Sequence, residues 1–162
     1  MNSYNIIIDN VWQNKSGELI KEIINFWKVH LAIPPNVDIE KRAKQVVLIA
    51  RNEKNEIVGV TTSYLTKYVP LKNKFFIFRG MIDPEYRIPG LFIKMTITTI
   101  QILEEFSKTL SEKERAIGII TEMENPNLKK ARMTRTSSGM VLVGFSKKEN
   151  PVYAYYFKGA RY

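Results

Sequence analysis

The sequence predicts an α/β domain, with a mixed, mostly antiparallel central sheet flanked by helices. Three observations carry that expectation. An amphipathic helical run early in the chain gives way at Val46 to β-branched, strand-like runs. Between Leu91 and Lys108 the apolar residues return to helical spacing, so a helix crosses over between two strand-like segments. Two further short apolar runs, Met140 to Phe145 and Val152 to Phe157, follow near the end. At 162 residues the chain has the size of one domain, spanning 1–162.

Each element follows from local chemistry. Leu19, Ile20, Ile23, Ile24, Trp27 and Leu31 share one face of a helix from Gly17 to about Leu31, and Ser16 can cap its start. Pro34 and Pro35 stop that helix, because proline lacks the N–H and clashes with the preceding turn. Asp38 caps a shorter helix ending near Gln45. Val46 to Arg51 and Ile57 to Thr66 read as strands joined by the polar turn Asn52 to Glu56. A loop from Tyr68 to Asn73 precedes the strand Lys74 to Ile82. Leu91 to Lys108 is rich in Ile and Thr, but Ile93, Ile97, Ile100, Leu103 and Phe106 recur at three and four residues. The run is also longer than an ordinary strand, so it is expected to be a helix. Ala116 to Met123 is a strand, and Asn127 to about Arg135 a short basic helix.

Composition narrows the chemistry. With 44% hydrophobic and 25% charged residues the balance is that of a globular domain. The absence of cysteine excludes disulfides, a thiolate nucleophile and cysteine-held metal centres, and the lone His30 excludes a multi-histidine metal site. His30 itself is expected to be structural. The first residues do not read as a signal peptide and no apolar run is long enough to span a membrane, so the expected compartment is the cytoplasm. The formal net charge of +9 makes this a basic protein. Such a charge attracts nucleic acid, an acidic cofactor or an anionic surface, and lysine-favouring codon bias produces it equally well. No phosphate loop, dinucleotide-binding glycine pattern, zinc-protease helix or serine-hydrolase elbow occurs.

One junction carries candidate chemistry. From Met81 to Phe92 a strand ends, a loop with Arg87 and Gly90 follows, and a helix begins at once. Such a turn directs backbone N–H groups and the positive helix end at one point, which suits a pyrophosphate. Gly90 permits close approach of backbone to a ligand. Lys129, Arg132 and Arg135 lie three apart with Lys130 beside them, a strip able to meet phosphates or simply water. Tyr153, Tyr155 and Phe157 alternate along a strand and read as sheet packing rather than base stacking.

The junction resembles the acyl-CoA motif of the GNAT N-acyltransferase superfamily, in which a strand leads through V-x-P-x-x-R into an Arg/Gln-x-x-Gly-x-Gly/Ala loop and a long helix. Ile82, Pro84, Arg87 and Gly90 stand at the matching places. The order of elements agrees over nearly the whole chain, Glu124-Asn125-Pro126-Asn127 resembles the acidic–Asn junction of the family, and Gly139-Met140 its later Gly-Phe. The resemblance implies a GNAT-like fold and acetyl-CoA, or another acyl-CoA, as co-substrate. It also implies transfer of the acyl group to an amine acceptor. Binding would fall to Met81, Ile82, Arg87, Ile88, Gly90, Leu91 and Phe92. Glu122 is the candidate base, with a solvated strand-end acid as the plainer reading; Asn125 is the candidate for holding substrate or water, with a turn residue as the plainer one. The chain departs from the family pattern at three points. Phe92 replaces a usual Gly or Ala, Pro89 removes a loop donor, and Arg135 stands where many members carry the tyrosine that protonates the leaving thiolate. The departures keep a non-catalytic GNAT-like binding module in play, and the net charge keeps a phage-type enzyme modifying DNA bases. Self-association into a homodimer is left open.

Overall fold

A computed structural model describes residues 5–130 and 133–161. In chain order the elements are β1 (Ile7–Asn10), α1 (Gly17–Val29), α2 (Ile39–Lys44), β2 (Val46–Arg51), β3 (Ile57–Tyr68) and β4 (Asn73–Ile82), then α3 (Leu91–Thr109), β5 (Gly118–Glu122), α4 (Pro126–Lys130), β6 (Val141–Phe145) and β7 (Pro151–Tyr156). The strands form one seven-stranded sheet in the order β1-β2-β3-β4-β5-β7-β6. Pairing is antiparallel for β1 with β2, β2 with β3, β5 with β7 and β6 with β7, and parallel for β4 with β5. The mixed, mostly antiparallel sheet with a helical crossover is therefore present. The strand β1, four residues long, has no counterpart in the expectation from sequence.

The chain forms two compact units. The first comprises residues up to Ser63 together with Gly80–Met95. Its helices start as their side chains dictate: Ser16 Oγ accepts from the Leu19 N–H at 3.1 Å, and Asp38 Oδ1 accepts from the Lys41 N–H at 3.0 Å. α1 ends earlier than expected, and not at the prolines. The Ala32 N–H reaches Trp27 O at 2.9 Å and the Leu31 N–H reaches Lys28 O at 3.2 Å. That is a Schellman pair, closed by Leu31 at φ 50° where glycine is usual. Leu31 consequently leaves the apolar stripe and is 90% exposed. Ile23, Phe26 and Trp27 of α1 are buried with Val11, Ala43, Val46, Ile49 and Val60, and Met81 packs against this cluster. Each such large side chain contributes about 1.5–3 kcal/mol by leaving water.

The second unit comprises Tyr64–Arg79 and the chain from Thr96 onward. β4 meets β5 in register at Phe76 with Ile119 and Ile77 with Ile120. Phe75, Ile117, Ile120, Val152 and Ala154 form one cluster of its core. Gly118 lets β5 approach β7: a Cβ there would lie 2.1 Å from Tyr155 O.

The helix expected over Leu91 to Lys108 is α3, but the phase of its buried face differs. Met95, Thr96, Thr99, Ile100, Leu103 and Ser107 are buried, whereas Ile93 and Ile97 are each 38% exposed. Three buried hydroxyl residues hid this face from a reading by hydrophobicity alone. The expected basic helix to Arg135 is also shorter. Among the described residues α4 covers Pro126–Lys130, Arg132 lies outside the described residues, and Arg135 makes an extended bridge to Val141. Lys129 and Arg135 therefore do not share one helix face.

Candidate functional site

In the first unit, β4 ends in a turn built by its own side chains. Asp83 Oδ1 accepts from the Glu85 N–H at 2.9 Å, which caps a 3-10 turn over Pro84–Tyr86. The Asp83 N–H donates to Val58 O at 2.8 Å. Asp83 Oδ2 also lies 3.5 Å from His30 Nε2 at the end of α1, an ion pair whenever the imidazole is protonated. Tyr86 is held from another side: Asn52 Nδ2 donates to its hydroxyl at 2.9 Å and to Glu56 Oε2 at 2.7 Å. His30, Asn52, Asp83 and Tyr86 thus fix the loop, and sequence reading singled out none of them for it. The available signal was Asp83-Pro84, an Asx residue starting a proline turn.

The loop then runs through Arg87 into α3. Arg87 is exposed, and its Nε donates to Ile82 O at 3.4 Å, turning the guanidinium root toward the strand end. Gly90 has φ +81°, and a methyl group placed on it would meet nothing within 4 Å. The backbone there is open, in a conformation that side-chain-bearing residues avoid. The donors are partly spent: Ile88 N–H goes to Tyr86 O at 2.7 Å, Leu91 N–H to Ile88 O at 3.3 Å and Lys94 N–H to Gly90 O at 2.9 Å. Pro89 contributes none. Buried Leu91 and Met95 anchor the start of the helix, while Phe92 is 40% exposed. Lys94, also exposed, adds a cation in the first turn that the sequence reading did not name. The positive helix end, Arg87, Lys94 and the open Gly90 backbone fit an anion.

Met81, Ile82, Arg87, Ile88, Gly90, Leu91 and Phe92 therefore share one short strand–loop–helix segment of the first unit. Glu122 and Asn125 belong to the second. Glu122 Oε1 accepts from Ser146 Oγ at 2.7 Å and from Asn150 Nδ2 at 2.6 Å. Burial pushes its carboxyl upward, but the hydrogen bonds from Ser146 and Asn150 and the charges of Lys148 and Arg79 outweigh it, and the net shift is down. Asn125 Oδ1 accepts from the Asn127 N–H at 3.0 Å, and its carbonyl from Leu128 and Lys129 N–H at 3.1 and 3.0 Å. It starts α4. Arg135 sits in an extended turn before β6, and Gly139 has φ +87° in the same turn. The Tyr153 hydroxyl, on β7, donates to Met133 O at 2.6 Å.

No family model matches the sequence, and no curated protein sequence matches it. Solved structures do. The ribosomal-protein-S5-alanine acetyltransferase from Vibrio fischeri superposes with a TM-score of 0.62 at 13% identity, over 100% of this chain and 97% of its own. A GNAT-family acetyltransferase from Staphylococcus aureus gives 0.61 at 16% identity, over 94% and 99%. The AtaTR complex bound with acetyl-CoA gives 0.62 at 13% identity, over 96% and 95%. At these identities the likeness speaks for the backbone, and it extends over essentially the whole chain. The chain carries, in divergent sequence, the fold of the GNAT acetyltransferases.

Proposed function

We propose that the protein is an acyl-CoA-dependent N-acyltransferase that binds the CoA pyrophosphate at the loop Arg87 to Phe92. One observation carries this reading. The backbone at Gly90 is open and left-handed at the entrance of a 19-residue helix, beside Arg87. In an acyl transfer the amine nitrogen attacks the thioester carbonyl, the C–S bond breaks, and the ammonium proton passes to a base. Met81 and Ile82 lie past the strand register with β5 and would align the pantetheine arm with backbone groups. Arg87 and Lys94 would meet the phosphates, Ile88 to Phe92 would line the cradle, and Glu122 would take the proton through a water. Asn125 would help hold that water by its amide nitrogen. The expected setting is one cytoplasmic domain, and the acceptor is an amine.

Calorimetry with acetyl-CoA tests the loop. Gly90→Asn is the informative variant, because asparagine tolerates the positive φ yet adds a side chain where backbone must meet phosphate. Binding to the unaltered protein and its loss in a normally folded Gly90→Asn is the expected result. Binding that is indifferent to this substitution would place CoA elsewhere and sink the proposal.

A second reading has its own support. Both bonds at Glu122 Oε1 are structural, and Arg135 is tied into a β-bridge, so an acyl-CoA-binding module without transferase activity fits the same geometry. Acetyl-CoA binding without acylation of any amine would favour it.

A further inference from the structure

At the other end of its sequence features, the second unit holds a wide cavity of about 750 Å³. Six of its twelve described lining residues are cations, Lys67, Lys72, Lys74, Lys113, Arg115 and Arg161, against one described acid, Glu112. The whole chain carries 25 Lys and Arg in 162 residues. A genome-wide taste for lysine raises charge evenly; it does not bring half a cavity wall to one place.

The cations come from four separate stretches of chain: the end of β3, the turn into β4 and its first residues, the loop after α3 and the residues after β7. Two of them are braced on main-chain oxygens. Lys74 Nζ donates to Lys113 O at 2.6 Å, and Arg115 donates to Leu110 O at 3.1 Å and Lys108 O at 3.2 Å. The acid Glu114 of the same loop is engaged by the Ser111 hydroxyl at 2.8 Å. Among the described residues none of the six cations is in an ion pair, so their charge is offered outward.

We propose that this cavity docks the phosphate backbone of a nucleic-acid duplex. Lysines dominate the wall, and ammonium groups act as point charges for phosphate rather than as forks for base edges. Among the described residues none of the lining side chains is aromatic, whereas grooves for single strands stack bases on aromatic rings. An open, multi-segment cationic wall matches a charged ribbon better than one small anion. The proposal is independent of the acyl-CoA loop, which lies in the other unit.

The test is a salt series of fluorescence-anisotropy titrations with short labelled DNA and RNA duplexes and a single strand. It compares the unaltered protein, Lys72→Gln/Lys113→Gln and Lys129→Gln/Lys130→Gln. Binding at low salt is expected to fall steeply as salt rises. The log–log slope should drop by about two in the first variant and stay unchanged in the second. The DNA and RNA arms identify which duplex is preferred. A circular-dichroism melt checks folding, and Lys67→Gln, on an exposed side chain, serves if the double variant does not fold. Absence of duplex binding at low salt overturns the proposal. So does a slope lowered only by the Lys129/Lys130 variant, tighter binding of the single strand, or equal competition by poly-glutamate.

Discussion

Lys15 shows how costly one partly buried charge is. Its ammonium lies 5.9 Å from the Trp12 ring centroid, and burial pulls its pKa from 10.5 down to about 8. Below about pH 8 both folded and unfolded chains hold the proton, and the fold bears the cost of desolvating it. Between about 8 and 10.5 only the unfolded chain holds it, so stability rises with pH across that window. Lys15→Met is expected to stabilise the protein at neutral pH and to flatten that rise, as read by urea unfolding on both sides of the window. An unchanged slope would remove Lys15 as its cause. Glu122 has the opposite sign. Its folded carboxyl titrates below the usual 4.5, so its stabilising bonds persist above that value and are lost as pH falls through the folded one. Glu122→Gln keeps an acceptor for Ser146 and Asn150 but not the proton site. If Glu122 is the base, acyl transfer slows while acetyl-CoA affinity holds; equal rates in both proteins would leave it an anchor for the turn before β7.

Elements depend on spacing that single residues enforce. Gly118 is the sharpest case, because a methyl there would collide with the carbonyl of Tyr155, a main-chain atom that no rotamer can move. Gly118→Ala is expected to cost about 1–3 kcal/mol through forced displacement of β5 from β7. A thermal melt within experimental error of the unaltered protein would contradict that spacing. Most elements were legible in the sequence because their signals are local. The caps at Ser16 and Asp38 and the length of α3 are of this kind. What was hidden depends on distant partners. Thr96, Thr99 and Ser107 look polar and are buried, and Leu31 looks apolar and is exposed because a helix-ending motif uses it. β1 is four residues long and is defined by its pairing with β2.

For the molecule as a whole, the order of elements and a handful of motif residues predicted the fold, while identity to the three superposed structures is 13–16%. The loop at Gly90 was legible because glycine at a strand–helix turn carries a conformational meaning. Its supports were not, since nothing in sequence joins Asn52 to Tyr86 or His30 to Asp83. The cationic cavity was invisible for the same reason: its charges are spread from Lys67 to Arg161 and gather only on folding.

Strand order also sets a timetable for synthesis. β6 leaves the ribosome before β7, yet β7 lies between β5 and β6 in the sheet. Until β7 emerges, β6 has among the described residues no ladder partner but the single bridge of Val141 to Arg135, and it presents Val141 and Phe145, which stay 37% and 67% exposed even in the finished fold. A chain cut off before Pro151 therefore leaves β6 as an apolar strand whose β7 edge is open, the form in which strands pair with the wrong neighbour. Formation of β7 closes that interval, and Pro151–Tyr156 decide whether β6 is paired in the sheet or mispaired.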